Sequence, residues 1–428
     1  MVVKMGVIPG ISPEIDAMKT AAEDRAKNEE TVAGTIIDTD GNRLAYSDTA
    51  GGKRQYINQY MYSSLFSFHS SGLEYLYYDE LYCHGEEKYE SKGGEIYYRG
   101  DNIELTIDHE LSKKAYGLIK EKPDASIVVI DKDGAVRCMV SSKSFNIESI
   151  NGDYTNYNDG DLLNPAKDYL TPCGSVIKPI IGEVITDYGV NDELVVNDEG
   201  AITLDSGETI RNAEGKSYGK IMLKKAMRVS SNVFFISAAE YMGADILNER
   251  YGEMRIGENI ETDFGKIKST RIEPDSEYEL AMNAIGQNVG LSTVHLAMIT
   301  QAVTTGEVVR PYMVEKIVTD TGEVITRGKK KVIANTSASQ GTIAHVNDIL
   351  KECADTYGIT GKTAGIEVLA KTGTAEVETE SGGRNIATMI LAFPADAPEY
   401  FATIQSRNTE QHGRDLKDIA ISLIKEID

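Results

Sequence analysis

The sequence predicts an α+β fold, in which helices flank an antiparallel sheet and a smaller module lies at the N-terminus. Strand-like runs occur at residues 125–142 and again after residue 365, while helical patterns dominate from about 175 to 300. Strands at both ends with helices between them favour one sheet assembled from distant segments. A length of 428 residues allows two or three domains.

The N-terminal part begins with a predicted helix and a predicted hairpin. Residues 12–29 have the pattern of a polar helix, with Ser12 at the N-cap and Pro13 in the first turn. The run TVAGTIIDTDGNRLAYS alternates apolar residues around Asp40-Gly41, which is typical of a β-hairpin.

A change in composition indicates a domain boundary near residue 100. Residues 55–100 are rich in Tyr, Gly and Glu and are expected to be irregular. Beyond them Asp108 is the predicted cap of a helix whose apolar positions share one face. We therefore expect a pedestal-like N-terminal module over residues 1–100 and a second domain over 101–428.

The second domain should contain the sheet. ASIVVIDKDGAVRCMVSS predicts two strands joined by a turn at Asp133-Gly134. Three further strand-like runs, GIEVLAKTGTA, IATMILAFPA and EYFATIQSR, precede a last helix around residues 412–427.

Composition excludes some functions. A net charge of −23 and a pI near 4.8 argue against nucleic acid as a partner, because phosphate binding needs a basic surface. Scattered thiols without a CxxC pattern predict neither a metal nor a redox site; they are Cys83, Cys138, Cys173 and Cys353. No run reaches the ~18 apolar residues that span a bilayer. Either the protein is cytoplasmic or an N-terminal anchor has been removed, and the chemistry below favours removal.

Three short motifs suggest acyl-transfer chemistry: Ser175-Val176-Ile177-Lys178, Ser230-Ser231-Asn232 and Lys371-Thr372-Gly373-Thr374. S-x-x-K, S-D-N and K-T-G together are the signature of serine β-lactamases and penicillin-binding proteins, and the second motif here has the form S-x-N. Each motif alone is weak, since S-x-x-K recurs by chance at Ser217 and Ser422, and a helix start with a solvated lysine would by itself explain Ser175 and Lys178. The order of all three and the single K-T-G make coincidence improbable.

The residue types fit a serine nucleophile and its base. A serine hydroxyl needs an adjacent base, and positions i and i+3 place Lys178 beside Ser175. To accept a proton Lys178 must be largely neutral, which burial and a second cation favour. Lys371 is the expected second cation and can also attract a terminal carboxylate.

The other motif residues can bind the substrate. Asn232 offers an amide to a peptide bond, and Ser230 could relay a proton to the leaving amine. Gly373 suits a strand that a substrate approaches closely. The hydroxyls of Thr372 and Thr374 can bind a carboxylate.

The sequence resembles the class B, monofunctional penicillin-binding proteins, and within them the small PbpA-like members. TPCGSVIKPIIGEVI, RVSSNVFFISAAEYMG and VLAKTGTAEV resemble the three active-site motifs, and GTIIDTDGNRLA is similar to the N-terminal segment of class B proteins. The resemblance departs at Ala33 and Thr39, where arginines are usual, and at Cys173, where proline is usual.

The resemblance implies a penicillin-binding transpeptidase fold, similar to serine β-lactamases, with residues 101–428 as the transpeptidase domain. It implies a peptidoglycan D,D-transpeptidase outside the cytoplasm that acylates Ser175 with D-Ala-D-Ala stem peptides and is trapped by β-lactams. The oxyanion would be held by the N–H groups of Ser175 and Thr374. No metal or organic cofactor is implied, and a polytopic glycosyltransferase is a possible partner.

Alternatives remain open at this point. A D,D-carboxypeptidase or a β-lactamase could use the same scaffold and the same residues. A non-catalytic scaffold for cell-wall assembly is a different class of function, although the complete set of motif residues argues against it.

Overall fold

A computed structural model describes residues 30–67, 72–82, 88–150, 162–190, 193–379 and 382–427. The helix predicted over residues 12–29 and Cys83 lie outside these ranges. In the part of the chain that is described, none of the helices is both long and apolar enough to cross a bilayer.

The strands are short except in one sheet. In chain order they are β1 (Thr31–Val32), β2 (Ile36–Ile37), β3 (Arg43–Tyr46), β4 (Gln55–Tyr56), β5 (Tyr89–Glu90), β6 (Ile96–Arg99), β7 (Asn102–Leu105), β8 (Ala125–Asp131), β9 (Val136–Ser141), β10 (Thr171–Pro172), β11 (Val196–Asp198), β12 (Ala201–Thr203), β13 (Thr209–Arg211), β14 (Gly219–Ile221), β15 (Ile260–Thr262), β16 (Gly265–Ile267), β17 (Ser269–Arg271), β18 (Val289–Leu291), β19 (Glu307–Val309), β20 (Val314–Val318), β21 (Val324–Arg327), β22 (Val332–Asn335), β23 (Leu369–Thr379), β24 (Gly382–Phe393) and β25 (Tyr400–Thr409).

The helices lie mainly between the strand groups. In chain order they are α1 (Ser63–Phe66), α2 (Leu73–Leu76), α3 (Tyr78–Tyr82), α4 (His109–Ile119), α5 (Ile147–Ile150), α6 (Pro165–Asp168), α7 (Lys178–Asp187), α8 (Leu223–Val229), α9 (Asn232–Met242), α10 (Ala244–Glu253), α11 (Glu277–Ala284), α12 (Thr293–Thr305), α13 (Gln340–Tyr357) and α14 (Lys417–Ile424). The described ranges also contain 3₁₀ turns at Gly174–Ile177, Ala213–Gly215 and Gly413–Leu416.

The main sheet has five antiparallel strands in the order β23-β24-β25-β8-β9. It joins the 125–141 hairpin to the three C-terminal strands, with Ala125 opposite Ser406, which confirms the prediction of a sheet built from distant segments. Gly134 turns the hairpin with φ +84°, a conformation that favours glycine. The buried helix α12 packs against the sheet and α13 covers β23. Strand β23 is an edge strand, and the motif K-T-G lies on it.

A second sheet contains the N-terminal hairpin. Its order is β21-β20-β7-β2-β3-β4, so the predicted hairpin at Asp40-Gly41 forms as β2 and β3. Strands β20 and β21, far along the chain, complete this sheet. The N-terminal segment is therefore tied to residues 314–327, and the boundary near residue 100 stays a prediction.

A buried ion pair stabilises the N-terminal segment, although arginines are missing at the two usual positions. Arg54 Nε lies 2.6 Å from Glu74 Oε1, and another guanidinium nitrogen donates to Gly34 O at 2.6 Å. Both charged side chains are almost fully buried. Removing one partner of such a pair leaves a buried charge without a counter-charge and is strongly destabilising.

The region between residues 175 and 300 is less uniformly helical than predicted. Short hairpins interrupt it, β11 with β14, β12 with β13 and β15 with β16. Strands of three residues are too short for an alternating pattern to be recognised in the sequence. Two of these strand pairs, β11 with β14 and β12 with β13, contribute directly to the site.

Candidate active site

Ser175 lies in a tight turn that begins the first motif helix. The 3₁₀ turn Gly174–Ile177 runs into α7, and its i to i+3 spacing stacks Lys178 over Ser175. Ser175 is partly exposed, whereas the neighbouring Val176 and Ile177 are buried. The sequence-based prediction of a helical start at Ser175 is therefore correct in position, but its first turn is 3₁₀.

Two glycines bring the turn into place. Gly174 adopts φ +60°, and its N–H donates to Gly286 O at 2.9 Å. A Cβ on Gly286 would lie 2.3 Å from Gly174 O, so a side chain there would displace the turn. Sequence reasoning missed Gly286, although it lies in the AIGQNVG segment that resembles the family.

Lys178 connects the first and second motifs. Its Nζ is fully buried and donates to Ser230 O and to Asn232 Oδ1, each at 2.8 Å. Ser230 Oγ lies 3.4 Å away. These hydrogen bonds fix the amine of Lys178 against Ser230 and Asn232, and proton transfer from Ser175 to Lys178 stays a prediction.

The second motif joins two helices. Ser230 ends α8 in the left-handed conformation with φ +57°. Ser231 then caps α9, accepting from Phe234 N–H at 3.0 Å. Its hydroxyl donates to Asp198 Oδ2 at 2.5 Å, and that carboxylate is fully buried. This arrangement turns Ser230 out of the helix, with its Oγ 3.4 Å from Lys178 Nζ.

Asn212 holds the far side of the motif. Its Oδ1 accepts from Asn232 N–H at 2.7 Å, while its Nδ2 donates to both oxygens of Asp198. Asn232 Nδ2 donates in turn to Arg211 O at 2.8 Å. Sequence reasoning missed Asp198 and Asn212, because an isolated Asp or Asn in a loop is an ordinary turn residue.

The third motif presents a buried cation to the second. Lys371 Nζ is fully buried and donates to Ser230 Oγ at 3.0 Å and to Thr372 O at 2.8 Å. Ser230 Oγ therefore lies between the amines of Lys178 and Lys371.

Gly373 lies close to the turn of the first motif. A Cβ there would lie 3.0 Å from Val176 Cγ1 and 3.1 Å from Cys173 O. The glycine thus lets the Ser175 turn pack against β23. That a substrate strand also approaches closely at Gly373 stays a prediction.

The threonines of K-T-G-T are held from two sides. Thr374 Oγ1 accepts from Gly413 N–H at 3.1 Å, and Thr372 N–H points to Tyr357 Oη at 3.5 Å. A Cβ on Gly413 would lie 2.4 Å from Gly373 O, so the 3₁₀ turn after β25 also needs glycine. Gly413 and Tyr357 carry no motif that sequence reasoning could have identified.

The two lysines have unusual protonation behaviour. Burial lowers the pKa of Lys178 well below its ordinary value, the charge of Lys371 lowers it further, and Asp198 opposes both. Burial also lowers the pKa of Lys371 to about 8, assisted by Arg414 and opposed by Cys353. Lys371 thus remains mostly charged at pH 7 while Lys178 is poised to accept a proton.

The other S-x-x-K serines lie elsewhere. Ser217 is exposed in the loop before β14, and Ser422 lies in α14, where its Oγ donates to Asp418 O at 2.8 Å. The neighbours Leu423 and Ile424 are buried, as expected. In the described ranges no three acidic, histidine or cysteine side chains are grouped as a metal site.

A buried charge cluster lies at the far end of α7. Arg250 is within 2.9 Å of Glu183, 2.6 Å of Asp187 and 3.1 Å of Glu253. Glu183 is fully buried, and its Oε1 has no hydrogen-bond partner among the described residues. Burial raises the pKa of Glu183 to about 8 although Arg250 opposes it. Three carboxyl groups share one guanidinium, so a proton on Glu183 relieves the excess charge.

Comparison with known proteins places this geometry in context. The model of the penicillin binding protein transpeptidase domain matches residues 125–425. Penicillin-binding protein 3 of Bacillus subtilis is 26% identical over 359 residues, covering 76% of this chain and 51% of that protein. The peptidoglycan D,D-transpeptidase PbpA of Mycolicibacterium smegmatis is 24% identical over 405 residues, covering 85% and 81%. The chain therefore spans about half the length of the Bacillus relative.

Solved structures share the fold. Penicillin-binding protein A of M. tuberculosis, as a ceftriaxone acyl-enzyme complex, superposes with a TM-score of 0.83 at 21% identity, covering 94% of this chain and 99% of that one. The D,D-transpeptidase domain of a peptidoglycan glycosyltransferase from Eggerthella lenta gives 0.77 at 24% identity, covering 93% and 98%. The α+β architecture predicted from the sequence is confirmed.

Proposed function

This chain belongs to the penicillin-binding protein transpeptidase family, and from that premise we propose that it cross-links peptidoglycan stem peptides as a D,D-transpeptidase. The observation that carries the proposal is the position of Ser230 Oγ, between the buried amines of Lys178 and Lys371. Relatives named peptidoglycan D,D-transpeptidase support the same reaction.

In the proposed acylation Lys178 acts as the base. Its neutral amine takes the proton of Ser175 Oγ, which attacks the carbonyl carbon of the D-Ala-D-Ala peptide bond. The N–H groups of Ser175 and Thr374 stabilise the oxyanion. The C–N bond then breaks, and a proton passing through Ser230 reaches the leaving D-Ala amine.

The terminal carboxylate of the donor would bind at the third motif. Lys371 supplies the charge, and the hydroxyls of Thr372 and Thr374 supply hydrogen bonds. Asn232 would hold the peptide bond on the acyl side. An amine of a second stem peptide then attacks the ester carbonyl, forms the new amide bond and releases Ser175.

A β-lactam would acylate Ser175 by the same steps as the donor peptide. Its amide opens on Ser175, but the leaving nitrogen stays attached to the acyl group. Acyl-enzyme complexes of M. tuberculosis penicillin-binding protein A, formed with ceftriaxone and with imipenem, support this behaviour for the fold.

Labelling with a fluorescent penicillin followed by peptide mapping tests the site assignment. We expect the adduct on Ser175 alone, loss of labelling in Ser175→Ala, and full labelling in the control variants Ser217→Ala and Ser422→Ala. An adduct on Ser217 or Ser422, or labelled Ser175→Ala protein, would overturn the assignment.

The reaction after acylation distinguishes the alternatives. Incubation with a D-Ala-D-Ala stem peptide and an acceptor amine should give free D-Ala and a cross-linked product. D-Ala without cross-links would identify a carboxypeptidase, and rapid turnover of penicillin would identify a β-lactamase. Absence of acylation by any donor would favour a non-catalytic scaffold.

The proposed substrate fixes the expected location and partners. Peptidoglycan lies outside the cytoplasm, so we place the enzyme on the extracytoplasmic face of the cell membrane, with residues 1–100 as a pedestal-like module below a transpeptidase domain at 101–428. Glycan strands must be polymerised before cross-linking, which supports a polytopic glycosyltransferase as a partner. Fractionation of cells and crosslinking in intact membranes test both points.

A further inference from the structure

One buried carboxylate, that of Asp198, holds the second motif from behind. Asp198 ends β11 and is fully buried. Its Oδ1 accepts from Gly200 N–H at 2.8 Å, and its two oxygens accept from Asn212 Nδ2 at 2.8 and 2.9 Å. Its Oδ2 also accepts from Ser231 Oγ at 2.5 Å. None of the residues that the structure describes forms an ion pair with this carboxylate.

The directions of these hydrogen bonds show that Asp198 carries no proton. The amide of Asn212 has one orientation, because its Oδ1 accepts from Asn232 N–H at 2.7 Å, and its Nδ2 therefore faces Asp198. The hydroxyl of Ser231 accepts from Phe234 N–H, so its own proton is donated to the carboxylate. The neighbours of the carboxylate are thus donors, which is the arrangement that an ionised carboxylate requires.

The segment that Asp198 holds also contains the acceptors that orient Lys178. Ser231 lies between Ser230 and Asn232, and Ser230 O and Asn232 Oδ1 each accept from Lys178 Nζ at 2.8 Å. A neutral amine has two hydrogens and one lone pair, so these acceptors take both hydrogens and leave the lone pair for an incoming proton. The orientation of the proposed base therefore depends on the contacts behind the motif.

The charge of Asp198 acts on Lys178 as well. Burial lowers the pKa of Lys178 and the charge of Lys371 lowers it further, whereas the charge of Asp198 raises it. The other described contacts of the amine are oxygen atoms of the second motif and the ring of Phe235, whose centre is 5.3 Å away, and none of these groups titrates. The protonation of the base is therefore set by burial and by two buried charges of opposite sign.

Other titratable groups near these residues are neutral, paired or exposed. Burial raises the pKa of Cys353 to about 11 and that of Tyr357 above its ordinary value, so both stay neutral beside Lys371. Glu183, at the far end of α7, is paired with a guanidinium at 2.9 Å. The cations on α8 and beside β11 are exposed, and they are Arg211, Lys216, Lys220, Lys224, Lys225 and Arg228. Asp198 and Lys371 are therefore the buried charges that act on the base.

We propose that Asp198 is a positioning residue of the reaction, whose buried carboxylate holds the second motif against Lys178 and balances the charge of Lys371 around the base. This inference rests on the proposed transpeptidase function. Asp198 itself contacts no substrate in that reaction, because Ser231 and Asn212 lie between it and the motif residues. It acts through the hydrogen bonds that it accepts and through its charge.

The pH dependence of penicillin acylation tests both parts of this role. The measurement is the rate at which benzylpenicillin acylates Ser175 between pH 5 and pH 9, in the parent protein and in Asp198→Asn. At the alkaline end the variant should be about 10-fold slower, because an amide cannot accept from every donor around it and the motif shifts.

The acid side of the profile reports on the charge. Without the negative charge of Asp198 the pKa of Lys178 falls, so the rate of the variant should decrease at a lower pH than that of the parent. The ratio of the parent rate to the variant rate should therefore become smaller as pH falls. Titration of Lys371, whose pKa burial lowers to about 8, affects both proteins and cancels in the ratio.

Two further variants make the result specific. Ser231→Ala removes one hydrogen bond to the carboxylate but keeps its charge, so it should slow acylation without moving the pH at which the rate falls. Asp263→Asn is a matched control, because that carboxylate accepts from Met313 and Val314 N–H at 2.9 and 2.8 Å in the N-terminal sheet. It should leave the rate and its pH dependence at the parent values. Circular dichroism of each variant confirms that it is folded.

The outcomes separate this inference from the function on which it rests. If benzylpenicillin does not acylate Ser175 in the parent protein, the proposed function fails. If it does, and folded Asp198→Asn is slower by the same factor at every pH or by a factor that grows toward acid pH, the inference is overturned while the function stands. A parent-like rate in Ser231→Ala overturns the positioning role, even where Asp198→Asn does not fold.

Discussion

Replacing Glu183 by Gln should remove a pH dependence from the stability of the protein. In the folded chain burial raises the pKa of this carboxyl from 4.5 to about 8. Between these two values the unfolded chain binds fewer protons than the folded chain at this position. The free energy of unfolding therefore falls as pH rises, and the contribution of Glu183 is lost as pH passes through about 8.

The magnitude follows from the size of the pKa change. Each pH unit between the two values costs the parent protein about 1.4 kcal/mol of unfolding free energy. Gln keeps the shape of the side chain and can still accept from Arg250 at the 2.9 Å position, but it does not titrate. The free energy of unfolding of the variant, measured relative to that of the parent, should therefore rise by about 4 kcal/mol between pH 5 and pH 8.

Urea unfolding followed by circular dichroism at pH 5, 6.5 and 8 measures this difference; the chain contains no Trp for fluorescence. Glu261→Gln, on an exposed hairpin where Lys266 lies 2.8 Å away, controls for the substitution itself. If the free energy of unfolding changes with pH in the same way for Glu183→Gln and for the parent protein, Glu183 is not protonated in the folded chain. A variant that loses stability at every pH would show that the charge is needed for Arg250.

Three further predictions concern the cleft. Lys178→Ala should slow penicillin acylation about 10²-fold. In the parent protein the acylation rate should fall as pH drops through the folded pKa of Lys178, because only the neutral amine accepts a proton. A rate that does not depend on pH would contradict the role of Lys178 as the base. Lys371→Ala should slow acylation at least about 10-fold, more for a carboxylate ligand than for its methyl ester, and equal losses would show that it acts otherwise. Gly286→Ala places a methyl group 2.3 Å from Gly174 O and should abolish labelling while circular dichroism is retained; normal labelling would show that the turn can shift.

Sequence patterns predicted the long elements of the fold well. Apolar runs identified both strands around Gly134 and the three C-terminal strands. The predicted cap at Asp108 is confirmed, since its carboxylate accepts from Leu111 N–H at 2.9 Å. β8 and β25 are buried on both faces, so their own apolar composition is enough to indicate a strand in the core of the sheet.

The support around the motifs could not be predicted in the same way. Asp198 and Asn212 act on the second motif through hydrogen bonds to residues 33 and 20 positions away in sequence, which the folded hairpins bring together. Gly286 matters because of the backbone it faces, Gly174, which is 112 residues earlier. Such tertiary contacts leave no periodic signal. The motif residues themselves were identified by order and spacing, and their catalytic roles stay predictions.

The pairing of β8 with β25 also determines the order in which the main sheet can be completed during synthesis. Arg407 donates to Ser126 across 281 residues of sequence, at 2.7 Å. Contacts so distant along the chain make folding slow, because a long loop must close before they form. Strand β24, which lies between β25 and the K-T-G strand, also comes late among the described strands. A nascent polypeptide that stops before β25 therefore has Ser175 but not the completed sheet, so penicillin labelling of Ser175 should require that β25 has been synthesised.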